Sequence, residues 1–212
     1  MAIAPHRSER TALCDLLTRV GPAAPTLCSG WTTTDLATHL VVRERKPLAA
    51  LGLVLPGPFA AGLAKTMKRM STSESYDGLV ALVRRGPPSL LRPFDTAMNM
   101  GEYFIHHEDV RRGSGDTTPR PMADIAVVEE ALWRSVGRGA RLMTRSLGPT
   151  GLDLIHVDGR VVHARRGEHT ATLTGRPGEI VLYLWGRGDA AHVELGGPSE
   201  AVAAVRNARF GI

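Results

Sequence analysis

Three side chains in two separate segments have the types and spacing of a metal site. Glu102 and His106 are four residues apart, so on a helix they share a face, with Cβ atoms about 5–6 Å apart. His39 sits between Leu36 and Leu40 in another predicted helix, close to its apolar face. If the two helices are neighbours, His39 supplies a third ligand. A His₂Glu set leaves at least one position open on Zn²⁺ or a similar ion, as in catalytic sites.

Each of these residues also has a simpler interpretation. An inward-facing histidine is more often a hydrogen-bonded core residue than a ligand, and Glu-x-x-x-His occurs by chance in many helices. His107 is rotated by about 100° from His106, so the two rings cannot face the same point. Asp109 lies three residues after His106, where it can accept a hydrogen bond from the other imidazole nitrogen. It could equally pair with Arg111 or Arg112.

Apolar spacing and capping residues predict the helices that must position this group. Thr32 and Asp35 have the spacing of a capping box at the start of the His39 helix, and Pro47 ends or kinks that helix. Helices are predicted over residues 9–20, 32–46, 59–70, 76–83, 95–112 and 122–146. The Gly- and Pro-rich residues 113–121 predict a linker.

Hydrophobic periodicity changes after residue 150. Strands are predicted over residues 152–157, 160–165, 169–174 and 190–195, with helices over 177–185 and 198–207. Asp158-Gly159 predicts a two-residue hairpin loop, which would place His156 and His163 on one face. The expected fold class is α+β, with an N-terminal helical bundle over residues 1–118 and a small α+β domain over 119–212.

Composition narrows the function classes. The 212 residues are 43% hydrophobic and 22% charged, which is ordinary for a globular protein. The net charge is +5, but the basic residues are scattered, so nucleic-acid binding is not expected. No Walker A loop, Rossmann fingerprint or Gly-x-Ser-x-Gly elbow is present.

Cysteine use and hydropathy indicate a reducing, aqueous environment. Cys14 and Cys28 match no metal-ligand or redox spacing, so reduced thiols are expected. The first ten residues have no apolar signal segment, and Pro56 and Pro58 interrupt the longest apolar stretch, residues 48–64. We therefore expect a cytoplasmic protein that does not enter a membrane.

Three segments resemble those of a known family. The segment CSGWTTTDLATHL from Cys28 to Leu40, the following Arg43-Glu44-Arg45, and EYFIHHEDVRR from Glu102 to Arg112 are similar to the mycothiol-dependent maleylpyruvate isomerase N-terminal family. That family belongs to the DinB-like superfamily of metal-binding four-helix bundles. The resemblance is closest to an uncharacterised metal-binding branch with the string His-His-Glu-Asp-Val-Arg-Arg. The segment from Leu173 to Arg187 resembles the accompanying C-terminal domain.

The resemblance implies a metal site and a thiol cofactor. The family's metal triad matches His39, Glu102 and His106 here, with zinc as the first expectation and nickel, iron or manganese also compatible. Asp109 would orient a ligand. The implied reaction uses a low-molecular-weight thiol such as mycothiol, which becomes a thiolate on the metal and attacks a small electrophile, in S-transfer or isomerisation.

The sequence leaves alternatives for the role of three arginines and for the reaction. The side chains of Arg43, Arg45 and Arg111 are candidate anchors for the thiol or an anionic substrate, or they are ordinary ion-pair partners. No residue set is evident for the two carboxylates of maleylpyruvate. A metal-dependent hydrolase that uses a bound hydroxide, or a metal- or ligand-binding protein without catalysis, are the alternatives. A homodimer formed through an exposed apolar helix face is also compatible.

Overall fold

The structure, a computed structural model, describes residues 4–46, 49, 57–88 and 95–211. Pro47, and residues 48 and 50–56 of the apolar stretch over residues 48–64, lie outside the described residues. The chain divides into two compact units, Met1–Asp116 and Thr117–Ile212. None of the described helices has the length and sustained apolar character needed to cross a bilayer.

The first unit is helical. Its described helices are α1 (Pro5–Val20), α2 (Thr33–Arg45), α3 (Pro58–Ser73), α4 (Tyr76–Arg85) and α5 (Asp95–Arg112). Helix α1 begins four residues earlier than predicted because Pro5 occupies its first turn, where a missing N–H costs nothing. Helix α1 packs against α4 and α5, and α2 packs against α3 and α4. The core between them is mostly aliphatic: Leu13, Leu17, Leu36, Leu40, Leu79, Val83 and Tyr103.

The start of helix α2 is fixed by the predicted capping box. The backbone N–H of Thr32 donates to Asp35 Oδ2 at 2.9 Å, and Asp35 N–H donates to Thr32 Oγ1 at 3.4 Å. Two otherwise unpaired N–H groups are satisfied in this way. This reciprocal cap sets where the helix begins and therefore which face carries His39.

The second unit combines a four-stranded sheet with helices, so the predicted α+β class is confirmed. Its elements are α6 (Met122–Met143), β1 (Gly151–His156), β2 (Val161–Arg165), β3 (Thr170–Gly175), α7 (Pro177–Leu184), β4 (Val193–Gly196) and α8 (Ser199–Asn207). The strand order is β2-β1-β3-β4, with β1 and β3 parallel and the outer pairs antiparallel. Gly186 follows α7 with φ 81°, a left-handed conformation that commonly terminates a helix.

The predicted register of the β1–β2 hairpin is wrong. Val161 pairs with Ile155 and His163 pairs with Asp153, each shifted by one residue from the two-residue-loop expectation. His156 closes the hairpin instead, because its N–H donates to Arg160 O and its carbonyl accepts from Gly159 N–H, both at 2.8 Å. A one-residue shift moves side chains to the other face. His156 is therefore buried and His163 exposed, and the two do not form a pair.

Candidate metal centre

The structure brings His39, Glu102 and His106 together. Each offers a ligand atom, and the three atoms lie within 4.8 Å of one another. His106 Nε2 is 3.3 Å from Glu102 Oε2, and the His39 and His106 rings meet edge to face with centroids 5.2 Å apart. The expected i, i+4 geometry on α5 is present, and α2 supplies the third side chain from a distant part of the sequence.

Burial separates this group from a surface cluster. His39 and His106 are each 6% exposed, whereas Glu102 is partly exposed. The Trp31 ring lies 5.2 Å from the His39 ring and shields it. The site is thus protein-lined around the imidazoles and more open beside the carboxylate.

The charge state of the site follows from its burial and contacts. Burial and the neighbouring charge of His106 lower the pKa of His39 to about 3, so its ring is neutral and keeps a lone pair for a ligand. Burial disfavours the charged form of Glu102, but the hydrogen bond and charge of His106 and the charge of Arg43 lower its pKa to about 2. Burial opposes protonation of His106 as well, yet hydrogen bonds to Asp109, Cys28 and Glu102 raise its pKa well above the usual value.

The fit to a metal ion can be tested on one buried atom. His39 Nδ1 is buried and has no hydrogen-bond partner among the described residues. An orphaned buried ring nitrogen is costly in a purely structural core. The His39 imidazole, together with a second imidazole and an ionised carboxylate within reach, fits the donor set of zinc and similar divalent ions.

Asp109 contacts His106, as its spacing predicts. Its Oδ2 is 2.9 Å from His106 Nδ1, which leaves Nε2 directed at Glu102. The side chains of Arg111 and Arg112 both pair with Glu108, with Nη2–Oε2 and Nε–Oε2 distances of 2.7 and 2.5 Å.

Cys28 was not predicted to belong to this site, yet its Sγ lies 3.1 Å from the same Asp109 oxygen. No spacing within the chain signals this contact, because it joins an N-terminal loop to α5. The available hint was the position of Cys28 within the same segment as Trp31 and His39.

The three arginines proposed as anchors differ in their surroundings. Arg43 Nε lies 3.5 Å from Glu102 Oε1, beside the candidate ligands. Arg45 donates to the carbonyls of Leu82 and Gly86 at the end of α4. Arg111 is engaged by Glu108. Among the described residues, Arg43 is the only one of these three arginines found in contact with the candidate ligands.

A second buried polar cluster lies on another face of α5. His107 Nδ1 contacts Glu9 Oε2 of α1 at 3.2 Å, which confirms that His106 and His107 face different partners. Tyr103 donates to Glu44, and the Arg10 guanidinium lies 4.6 Å above the Tyr103 ring and 3.4 Å from Glu44 Oε1. Burial and the charge of Glu44 raise the pKa of Tyr103, so the phenol stays protonated. Mutual pairing offsets much of the cost of burying these charges.

Two solved structures resemble this chain over nearly its full length. They are the crystal structure of the mycothiol-dependent maleylpyruvate isomerase and that of a histidine-to-alanine mutant of the same enzyme. Each gives a TM-score of 0.61 over 91% of this chain and 90% of the isomerase chain, with 18% sequence identity. No protein-family model and no curated protein matches the sequence. The resemblance suggested by the sequence is thus confirmed at the level of the fold, which this chain shares with the mycothiol-dependent maleylpyruvate isomerase.

Proposed function

We propose that this protein binds a divalent metal ion through His39, Glu102 and His106 and uses it to activate a low-molecular-weight thiol, such as mycothiol, for transfer to or isomerisation of a small electrophile. The metal-binding bundle would comprise four of the helices of the first unit, in the DinB-like arrangement. Zinc is the first candidate because two imidazoles and a carboxylate are common zinc ligands. Nickel, iron and manganese accept the same donors.

The observation that carries the proposal is the convergence of three ligand atoms from two helices within 4.8 Å. The orphaned Nδ1 of His39 and its low pKa support a ligand role for that ring over a hydrogen-bonded core role. The shared fold with a mycothiol-dependent isomerase supports the choice of a thiol as the co-substrate.

The side chains around the centre have distinct tasks in this proposal. A bound divalent ion lowers the pKa of a coordinated thiol and so supplies a thiolate near neutral pH. His39 and Glu102 contribute donor atoms that are unprotonated at that pH. Asp109 accepts from Nδ1–H of His106 and keeps Nε2 facing the ion site. Arg43, beside Glu102, is placed to hold an anionic group of the thiol or the electrophile.

The proposal is tested by thiol dependence of turnover. Zinc-loaded protein is assayed against a panel of small electrophiles that includes maleylpyruvate, with and without mycothiol, and the His39→Ala variant serves as the metal-site control. We expect turnover that requires both mycothiol and the intact site. Hydrolysis of ester or amide probes without any thiol would instead favour the hydrolase alternative. Metal binding with neither activity would favour a binding protein without catalysis.

A further inference from the structure

We infer that Cys28 is a positioning residue of the proposed metal centre, which holds the Asp109 carboxylate and through it orients His106. The inference rests on the proposed function, because it assigns Cys28 a role toward the same ion. The role does not require Cys28 to be a ligand or a nucleophile.

The geometry joins three groups at one oxygen atom. Asp109 Oδ2 is 3.1 Å from Cys28 Sγ and 2.9 Å from His106 Nδ1. Asp109 is fully buried, with 0% exposure. Asp109 Oδ2 accepts from the S–H of Cys28 and from the N–H of His106, and the thiol also lies within hydrogen-bonding reach of His106, so Cys28 contacts both members of the His106–Asp109 pair.

The Cys28 contact matters because Cys28 comes from the loop before α2, whereas His106 and Asp109 lie on the same helix. The torsion that turns the Asp109 carboxylate has a broad, roughly two-fold profile. Contact with the Cys28 thiol, which comes from a different segment of the chain, restricts that rotation. The loop before α2 thus contributes, together with α5, to the hydrogen bonds that orient His106 Nε2 toward Glu102.

The loop that carries Cys28 is itself held in place. The N–H of Leu27 donates to Asp109 O at 3.0 Å, and the N–H of Cys28 donates to Thr26 Oγ1 at 3.2 Å. The same loop places Trp31 against His39. One short segment therefore contacts both candidate imidazole ligands, through Cys28 and Asp109 on one side and Trp31 on the other.

The second cysteine provides a matched control. Cys14 is fully buried in the apolar core of the first unit, where its Sγ lies 3.9 Å from Val80 O. Its thiol serves packing and does not belong to either metal-capable group found among the described residues. Replacing Cys14 tests the loss of a thiol without disturbing Asp109.

Direct ligation is the competing explanation for Cys28. Its Sγ also forms a group with His106 and Asp109 in which the ligand atoms lie within 4.8 Å of one another. A thiolate ligand to Co²⁺ produces an intense sulfur-to-metal charge-transfer band in the near ultraviolet. A thiol that is hydrogen-bonded to Asp109 produces none. The cobalt spectrum separates the two roles.

The experiment compares wild type with Cys28→Ser, Cys28→Ala and Cys14→Ala. The dissociation constant for Zn²⁺ is measured by competition with a chromophoric chelator, the Co²⁺ absorption spectrum is recorded, and thermal unfolding confirms the fold. We expect Cys28→Ala to weaken zinc binding about 10-fold, at the low end of the range for outer contacts of metal ligands. Cys28→Ser keeps a donor and should stay within about 3-fold of wild type. Cys14→Ala should bind zinc as wild type does.

Each contrary result has a definite meaning. Equal zinc affinity in wild type and Cys28→Ala would overturn the positioning role while leaving the metal centre intact. A charge-transfer band that disappears in Cys28→Ala would show a ligand instead. A Cys28→Ser variant as weak as Cys28→Ala would also overturn the role as a hydrogen-bond donor. A wild-type protein that binds no zinc would overturn the metal centre itself, before any cysteine variant is compared.

Discussion

His39 of α2 and His106 of α5 lie edge to face, with ring centroids 5.2 Å apart. Two buried imidazoles at this separation cannot both be positively charged without strong repulsion. Their pKa values are accordingly shifted in opposite directions. The pKa of His39 falls to about 3 and that of His106 rises well above its usual value. His39 is thus neutral, and His106 is a positively charged imidazolium between the carboxylates of Glu102 and Asp109.

That asymmetry predicts proton release on metal binding. Near pH 7 the His39 ring is neutral and Glu102 is ionised, whereas Nε2 of His106 must lose a proton before it can bind an ion. Because the pKa of His106 is raised, affinity should increase as the pH rises from below 6.5 toward that raised pKa and then level off. Calorimetric titration with zinc in two buffers of different ionisation enthalpy should give about one proton per ion near pH 7. Zinc binding that releases no proton would contradict this charge assignment.

Removing the positive charge of Arg43 should separate metal binding from thiol use. Arg43 Nε lies 3.5 Å from Glu102 Oε1, so Arg43→Gln removes a competitor for that carboxylate. We expect zinc affinity to be unchanged or slightly higher, while KM for mycothiol or for the electrophile rises about 10-fold, the effect of a lost charged contact worth roughly 1.4 kcal/mol. Steady-state kinetics and zinc titration measure the two quantities.

Arg45→Gln is the matched control, because Arg45 binds backbone carbonyls at the end of α4 instead. It should lower stability and leave KM near the wild-type value. If Arg43→Gln loses zinc or keeps a wild-type KM, Arg43 is not an anchor for either small molecule.

Two glycine substitutions in the first unit should have opposite effects on stability. A Cβ on Gly113 would lie 2.2 Å from Pro25 O, so Gly113→Ala must push the loop that precedes Cys28 away from the end of α5. We expect a loss of about 1–3 kcal/mol in the free energy of unfolding, together with weaker zinc binding.

Gly62→Ala, in the middle of α3, serves as the comparison. Apart from the chain neighbours and the backbone of α3 itself, no atom in the described part of the chain lies within 4 Å of the added Cβ. The unfolding free energy should therefore rise by about 0.5–1 kcal/mol with zinc affinity unchanged. Urea denaturation measures the free energy of unfolding of both variants, and zinc titration measures their affinity for the ion. A stable Gly113→Ala protein with normal zinc affinity would show that the close approach of this loop is not needed.

Local signals explain how much of the fold could be predicted from the sequence. The capping pair Thr32 and Asp35 at the start of α2 and the Gly- and Pro-rich residues that follow α5 are local signals, so these two helices were predicted within a few residues. The i, i+4 relation of Glu102 and His106 is equally local. The meeting of α2 and α5 was a hypothesis from residue types and family resemblance, since periodicity cannot say which helices are neighbours.

The errors occur where the outcome depends on more distant contacts. Asp158-Gly159 correctly marked a turn, but the loop takes in Val157 because His156 pairs with Arg160, and the register of β2 shifts accordingly. The burial of His156 under Trp133, with ring centroids 5.2 Å apart, favours this arrangement. Cys28 was dismissed for lack of a metal-ligand spacing, whereas its partner Asp109 comes from α5. Neither contact produces a periodic pattern in the sequence.

Bound metal, measured in the purified protein, decides whether the proposed centre exists. Purified wild type, His39→Ala, Glu102→Gln and His106→Ala are loaded with zinc, dialysed and analysed for bound metal, with His163→Ala as a control because that ring is exposed and pairs with Asp153. We predict one tightly bound ion in wild type and in the control, and loss of that ion from each of the three site variants. Retention of the ion by either histidine variant, or its absence from wild type, would contradict the account.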